Sequence, residues 1–188
     1  MSDDERADSQ AQLWAAIGAG DTAGVQAALA AGADPNLPDA KGGRVLHGTV
    51  ARGQLDLIEL LLDAGADLEA RDDGPYGPLT PVLLAAIYGQ ADALERLIAR
   101  GAKVNASVPD SEDGHDRVGW TAAHFAASEG RLDMLAALIR VAPELLVYET
   151  ADRQRPYALC EDRLCKALLL TVAQGRSVDE FLARVRGS

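Results

Sequence analysis

The chain of 188 residues predicts an all-α solenoid of stacked helix-loop-helix units, and three observations carry that reading. Gly20, Gly53, Gly89 and Gly130 are each followed twelve residues later by a small residue: Gly32, Gly65, Gly101 and Ala142. The leading glycines recur at intervals of 33, 36 and 41 residues, the period of stacked two-helix units. Between each pair lies a leucine-rich or alanine-rich stretch with helical spacing, as in LDLIELLLDAGADLEA after Gly53. Spacing inside each unit is constant, so the extra residues of later units fall in the connections.

In chain order, the expected organisation is an acidic, disordered tail at 1–8 and a single domain at 9–188, with units at 9–38, 39–70, 71–106, 107–147 and 148–188. Ser9 followed by Gln12 reads as a capping box opening the first helix, in a unit that lacks a regular start and serves as a cap. The second unit runs from Asp39 through Gly42, Gly43, Arg44, Val45, Leu46 and His47 to Gly53. Its Leu57, Ile58, Leu60, Leu61 and Leu62 are the expected contacts with neighbouring units. Gly65 should end that helix in the left-handed conformation.

The third unit opens with Thr80 as N-cap and Pro81 at the first helical position, where the missing N–H costs nothing. In the fourth, Thr121 caps a helix containing Ala122, Ala123 and His124. The fifth start is degenerate, at Arg155-Pro156-Tyr157-Ala158, with a helix through Leu168–Val172. Ser177 with Glu180 then makes a capping box for a last amphipathic helix.

These starts resemble the ankyrin repeat, with its turn, T-P-L-H-x-A-A opening, glycine, leucine-rich helix and closing Gly-Ala-Asp. The resemblance covers about residues 13–175 and is strongest in the second, third and fourth units; the small bacterial members are the type it fits. It implies about four to five units with degenerate caps, and a protein-binding module that uses finger tips and the inner-helix surface. It also implies that His47 and His124 hydrogen-bond the unit's own loop. At the variable positions of the pattern stand Lys41, Ala51 and Arg52, then Leu79, Ile87 and Tyr88, then Arg117, Val118, Trp120, Ser128 and Glu129.

Two finger loops are longer than stacking requires, Arg71–Leu79 and Ser107–Val118. The partner-binding set is therefore Arg52, Tyr76, Leu79, Ile87, Tyr88, Asp110, Glu112, Asp113, Asp116, Trp120 and Glu129. Trp120 has two readings: an exposed interface anchor ringed by acids, or a cover folded over the base of its finger. The run from Asp110 to Asp116, with His115, holds four carboxylates, but their spacing does not reproduce a helix-loop-helix calcium site, and no metal or other cofactor is assigned.

The net charge of −11 is uneven: −8 over residues 1–106 (16 acids, 8 bases), −4 over 107–147 (7 and 3) and +1 over 148–188 (6 and 7). An acidic surface disfavours nucleic acid and speeds the approach of a basic protein, and it also keeps a protein soluble. No apolar run approaches the roughly 20 residues of a membrane span, and the acidic start is unlike a secretion signal, so a cytoplasmic location is expected. Abundant alanine and a preference for arginine over lysine point to a GC-rich bacterial genome. Cys160 and Cys165, five residues apart, would point about 140° away from each other on one helix, as free and partly buried thiols.

His124 with Ser128 lacks a nucleophile elbow and an oxyanion loop, and the glycines sit at helix ends instead of in a phosphate loop. A non-enzymatic binding protein follows, monomeric when free. The specific expectation is an immunity or inhibitor protein that neutralises a basic toxin or enzyme through acidic fingers and a concave face. The alternative is an intracellular adaptor, regulatory subunit or host-directed effector.

Overall fold

A computed structural model describes residues 3–72, 78–110 and 117–187. The fold is an all-α repeat of helical hairpins, and among the described residues extended pairing is limited to two isolated bridges, Asp72 with Leu79 and Ser107 with Thr121. Two compact units divide the chain, residues 1–102 and 103–188.

The first unit contains α1 (Asp3–Ala19), α2 (Thr22–Ala30), α3 (Val45–Ala51), α4 (Leu55–Asp63), α5 (Pro81–Tyr88) and α6 (Ala91–Ala99). Helices α1, α3 and α5 pack side by side as an inner row, and α2, α4 and α6 as an outer row. Leu13, Ile17, Val25, Ile58, Leu61, Leu83, Leu94 and Leu97 form its core between the rows. Of the five leucine-rich positions expected to contact neighbours, Leu57, Ile58, Leu61 and Leu62 are buried, while Leu60 is half-exposed because the outer helix turns it away.

Two local expectations are realised in atomic detail. The Thr80 hydroxyl accepts the Leu83 N–H at 3.4 Å, with Pro81 opening α5. Gly65 has φ of 88°, a left-handed value that ends the hairpin without a Cβ penalty.

One expectation is overturned at the N-terminus. Helix α1 already includes residues 3–8, so those residues are not a disordered tail, and Ser9 lies inside the helix instead of capping it. The Ser9 hydroxyl donates to the Arg6 carbonyl at 3.0 Å and is buried. Acids in the first turn, such as Asp4 and Glu5, favour the positive end of the helix dipole, so the run read as tail composition is also a good helix start.

The second unit contains α7 (Ala122–Ser128), α8 (Leu132–Val141), a 3-10 turn (Pro143–Val147), α9 (Pro156–Leu159), α10 (Arg163–Ala173) and α11 (Val178–Arg186). Its core is built from Phe125, Met134, Leu135, Leu138, Leu145, Leu168 and Leu169. With Ala142 in place of the closing glycine, no left-handed turn forms; Ala142 has φ of −147°, and Pro143 opens the 3-10 turn directly. The degenerate fifth start is helical, with Pro156 at the first position of α9. Ser177 caps α11 by accepting the Asp179 N–H at 3.2 Å.

The cysteines do not share a helix. The chain breaks between α9 and α10, both thiols are buried, and Cys160 Sγ donates to the Asp162 carbonyl at 3.4 Å. The 140° separation expected of a continuous helix is lost at that break.

Candidate protein-binding surface

In the first unit, the fingers are stiffened before any partner arrives. The Asp39 carboxylate accepts the N–H groups of Lys41 and Gly43, both at 2.8 Å, which shapes the second finger. Asn36 bridges consecutive units: its amide donates to the Gly65 carbonyl at 2.9 Å, and its carbonyl oxygen accepts the Asp67 N–H at 2.8 Å. Gln10 holds the Asp34 backbone in the same two-way fashion, at 3.1 and 2.9 Å.

Arg44, which stands where the repeat pattern has threonine, joins these elements. Its guanidinium donates to the carbonyls of Asn36 and Arg71, each at 2.9 Å. The substitution leaves a mark on His47. The ring donates from Nε2 to the Leu79 carbonyl at 3.0 Å, which requires a bare Nδ1, and that buried nitrogen has no hydrogen-bond partner.

Leu79 is not a surface residue. It is fully buried, paired backbone to backbone with Asp72 at the base of the third finger, and it holds the His47 bond through its carbonyl. A leucine at the base of a finger buries its apolar surface, so its variable position in the pattern does not make it a contact. The histidine bond also runs to the following unit's finger instead of its own loop.

Arg52 and Tyr88 do reach solvent. Each precedes a glycine, so the two occupy equivalent places at the C-terminal ends of the adjacent helices α3 and α5. The Tyr88 side chain is 49% exposed. Arg52 is exposed too, with Nε donating to Gln54 at 3.1 Å, while Ile87 is half-buried beside Tyr88. On the outer helices, Glu59 binds Arg96 at 3.2 Å and Arg100 at 3.0 Å, and Arg100 reaches Asp63 at 2.7 Å. Solvent screens this network, which orders the outer face more than it stabilises the fold.

In the second unit, Trp120 follows the second of its two readings. It is half-buried, with its ring centroid 5.1 Å from Phe125, and the Arg117 guanidinium lies 5.3 Å from the Trp120 ring and 5.4 Å from Phe125. The indole thus covers the finger base, and Arg117 forms its outer lid. Backbone bonds from Val108 N–H to Trp120 at 2.8 Å and from Gly119 N–H to Val108 at 2.9 Å lock that base. Asp110 and Glu129 are exposed. Tyr76, Glu112, Asp113 and Asp116, together with His115 and therefore most of the suggested cation-binding run, lie outside the described residues.

His124 is sealed in. Its Nε2 donates to the Gln154 carbonyl at 3.1 Å, and Nδ1 accepts the Thr121 N–H at 3.1 Å with the Thr121 hydroxyl 2.9 Å away. Burial pushes the pKa of both histidines below the ordinary value, the nearby Asp72 carboxylate opposing that shift at His47. The Ser128 hydroxyl donates to the Phe125 carbonyl at 3.0 Å. Both groups are committed to structure, leaving the arrangement no nucleophile–base dyad.

A family model described as ankyrin repeats, in three copies, matches residues 13–108 and 46–148. The chain belongs to the ankyrin-repeat family. Its relatives include ankyrin repeat domain-containing protein 63 of Mus musculus, 33% identical over 114 residues, covering 61% of this chain and 27% of the relative. Glycerophosphocholine phosphodiesterase gde1 of Schizosaccharomyces pombe is 33% identical over 110 residues, covering 58% and 9% respectively. Neurogenic locus notch homolog protein 1 of Xenopus tropicalis is 34% identical over 114 residues, covering 60% and 4%. The aligned stretches thus span between 4% and 27% of these relatives, and the likeness to the phosphodiesterase covers only a small part of that enzyme.

Ankyrin repeats are protein–protein interaction modules, and this ankyrin-repeat chain presents Arg52, Tyr88, Asp110 and Glu129 to solvent. Sequence reasoning missed Arg44 and Arg117 as the residues that organise the fingers; an arginine in a threonine position was the available signal for the first. No helix among the described residues is long and apolar enough to cross a membrane.

Proposed function

We propose that this ankyrin-repeat protein is a non-catalytic inhibitor of the bacterial immunity type, which neutralises a toxin or enzyme with a basic surface in the cytoplasm. The observation that carries this reading is Tyr88, a large aromatic side chain left 49% exposed at the end of an inner helix. Aromatic residues supply large contact area at low entropic cost and dominate binding energy where they are found. The exposed acids Asp110 and Glu129 and the net charge of −11 favour a basic partner, whose approach they accelerate. A compact interface of about 800 Å² per partner is the size expected of such a complex. The free protein is a monomer in this reading.

The test is affinity purification with the full chain as bait, then titration of the recovered protein. Tyr88→Ala should weaken binding by about tenfold or more, and raising salt from 50 to 300 mM should slow association. A recovered partner with an acidic surface, or one indifferent to Tyr88→Ala, overturns the proposal. The adaptor reading draws support from the relatives, in which the matched repeats form a minor part of much longer proteins. Recovery of a stable multi-enzyme assembly whose activity is unchanged by this chain would favour it.

A further inference from the structure

The second unit carries a feature that the finger surface does not use. An open groove of about 630 Å³ runs between the 3-10 turn, α9 and the outward face of α10. Its walls are apolar yet poorly covered: Val147 is 62% exposed, Tyr157 45% and Leu170 45%. Leu169, Leu170, Val172 and Ala173 line it from one side of α10, and Leu169 forms its buried floor. Scattered exposed apolar residues need no explanation, but several gathered along one groove mark a contact surface.

Charge decides what kind of contact. Arg153 and Arg155 line the same groove, in the one segment of the chain, residues 148–188, that carries net positive charge. Arg155 is shared with Glu149 at 3.0 Å, both exposed, whereas Arg153 has no ion pair among the described residues. Arg153 is also the one described non-glycine residue with positive φ, 58°. A tight turn holds it there: its N–H donates to the Thr150 carbonyl at 2.9 Å, and Thr150 N–H donates to Gln154 at 2.9 Å. The second finger has the same turn with the same pair of backbone bonds, and Gly42 at the equivalent position has φ of 81°, so it is the repeat's own finger turn that sets Arg153 beside the groove.

We infer that this groove docks an amphipathic helix of a partner protein, with aliphatic or aromatic side chains on the face that enters and a carboxylate placed to meet Arg153. An amphipathic α-helix offers a continuous apolar face about 10 Å across to such an open groove, and a carboxylate on its edge complements Arg153. The site differs in residues and in charge preference from the acidic finger surface, and stands without it.

A phage-displayed library of 16-residue helical peptides, randomised on one face among Leu, Phe, Ala, Glu and Lys, tests this against the full chain, with soluble peptides measured by fluorescence anisotropy. Selected peptides should carry Leu or Phe at i, i+3 or i+4, and i+7, with Glu at one end. Arg153→Glu should weaken them at least tenfold and shift selection from Glu to Lys; Leu170→Asp should abolish binding. Tyr88→Ala should leave it unchanged. Both groove side chains are exposed, and an unaltered melting curve shows that the variants fold. Selected peptides indifferent to both groove substitutions, or no enrichment at all, overturn the inference. So does a dimer of the chain alone that Leu170→Asp dissociates, which assigns the groove to a second copy, or laurate displacing every selected peptide, which assigns it to a small amphiphile.

Discussion

His47 and His124 make the same cross-finger bond, Nε2 to the carbonyl of Leu79 at 3.0 Å and of Gln154 at 3.1 Å, yet only His124 has a threonine hydroxyl beside its other nitrogen. One histidine is fully satisfied; the other leaves a buried acceptor bare. The cost of that vacancy is set against what Arg44 adds by binding two carbonyls.

Arg44→Ala should destabilise the protein by about 1–2 kcal/mol through the lost carbonyl bonds. Arg44→Thr loses the same bonds but adds an N-cap for α3 and a hydroxyl for His47 Nδ1. It should therefore be more stable than Arg44→Ala by about 1 kcal/mol. Urea denaturation of both variants checks the order; equal midpoints would show that the His47 vacancy costs nothing.

Stability should fall with acid through the two histidines. Their native pKa values lie below the ordinary 6.5, so the unfolded chain binds a proton first as pH drops. The contribution is fully present above 6.5 and declines between 6.5 and the depressed native values. His124→Asn should flatten the difference in urea midpoint between pH 7.5 and 5.5, although it lowers stability at pH 7.5.

Leu79→Ala should cost about 2–5 kcal/mol, because it empties a fully buried site. Tyr88→Ala removes a half-exposed ring and should change stability by less than about 1 kcal/mol. Thermal melts of the two side by side separate core from surface at positions that the repeat pattern treats alike.

Gly119 has φ of 79°, and a Cβ there would stand 3.2 Å from both Ala151 N and Thr150 Cα, which are backbone atoms that cannot swing aside. Gly119→Ala should destabilise the second unit by about 1–3 kcal/mol. Hydrogen exchange should show the loss at Val108 and Ala151, whose N–H groups close this finger base.

Burial pushes the Cys165 thiol up to about 12, with Cys160 raised for the same reason. Both should resist iodoacetamide at pH 8 in the native protein and react at ordinary thiol rates in 8 M urea. Mass spectrometry counts the adducts; rapid native labelling of either cysteine would contradict the burial of both thiols.

The hairpins were legible in the chain because their determinants are local. Thr80-Pro81 starts a helix by filling its own first turn, Gly65 ends one by tolerating a left-handed φ, and the leucines of α4 follow the helical period. Ser9 shows where local reasoning errs, since the same residue type caps a helix or sits within one, according to whether the acids before it join the helix. Leu79 and Arg153 were beyond such reasoning, and for Trp120 it left two readings open. Leu79 is buried at the base of its finger, Trp120 is half-covered because it clusters with Phe125 and Arg117, and Arg153 borders a groove made by segments up to 30 residues apart. Backbone conformation depends on near neighbours, whereas exposure depends on which distant surfaces arrive, and only the folded chain brings them together.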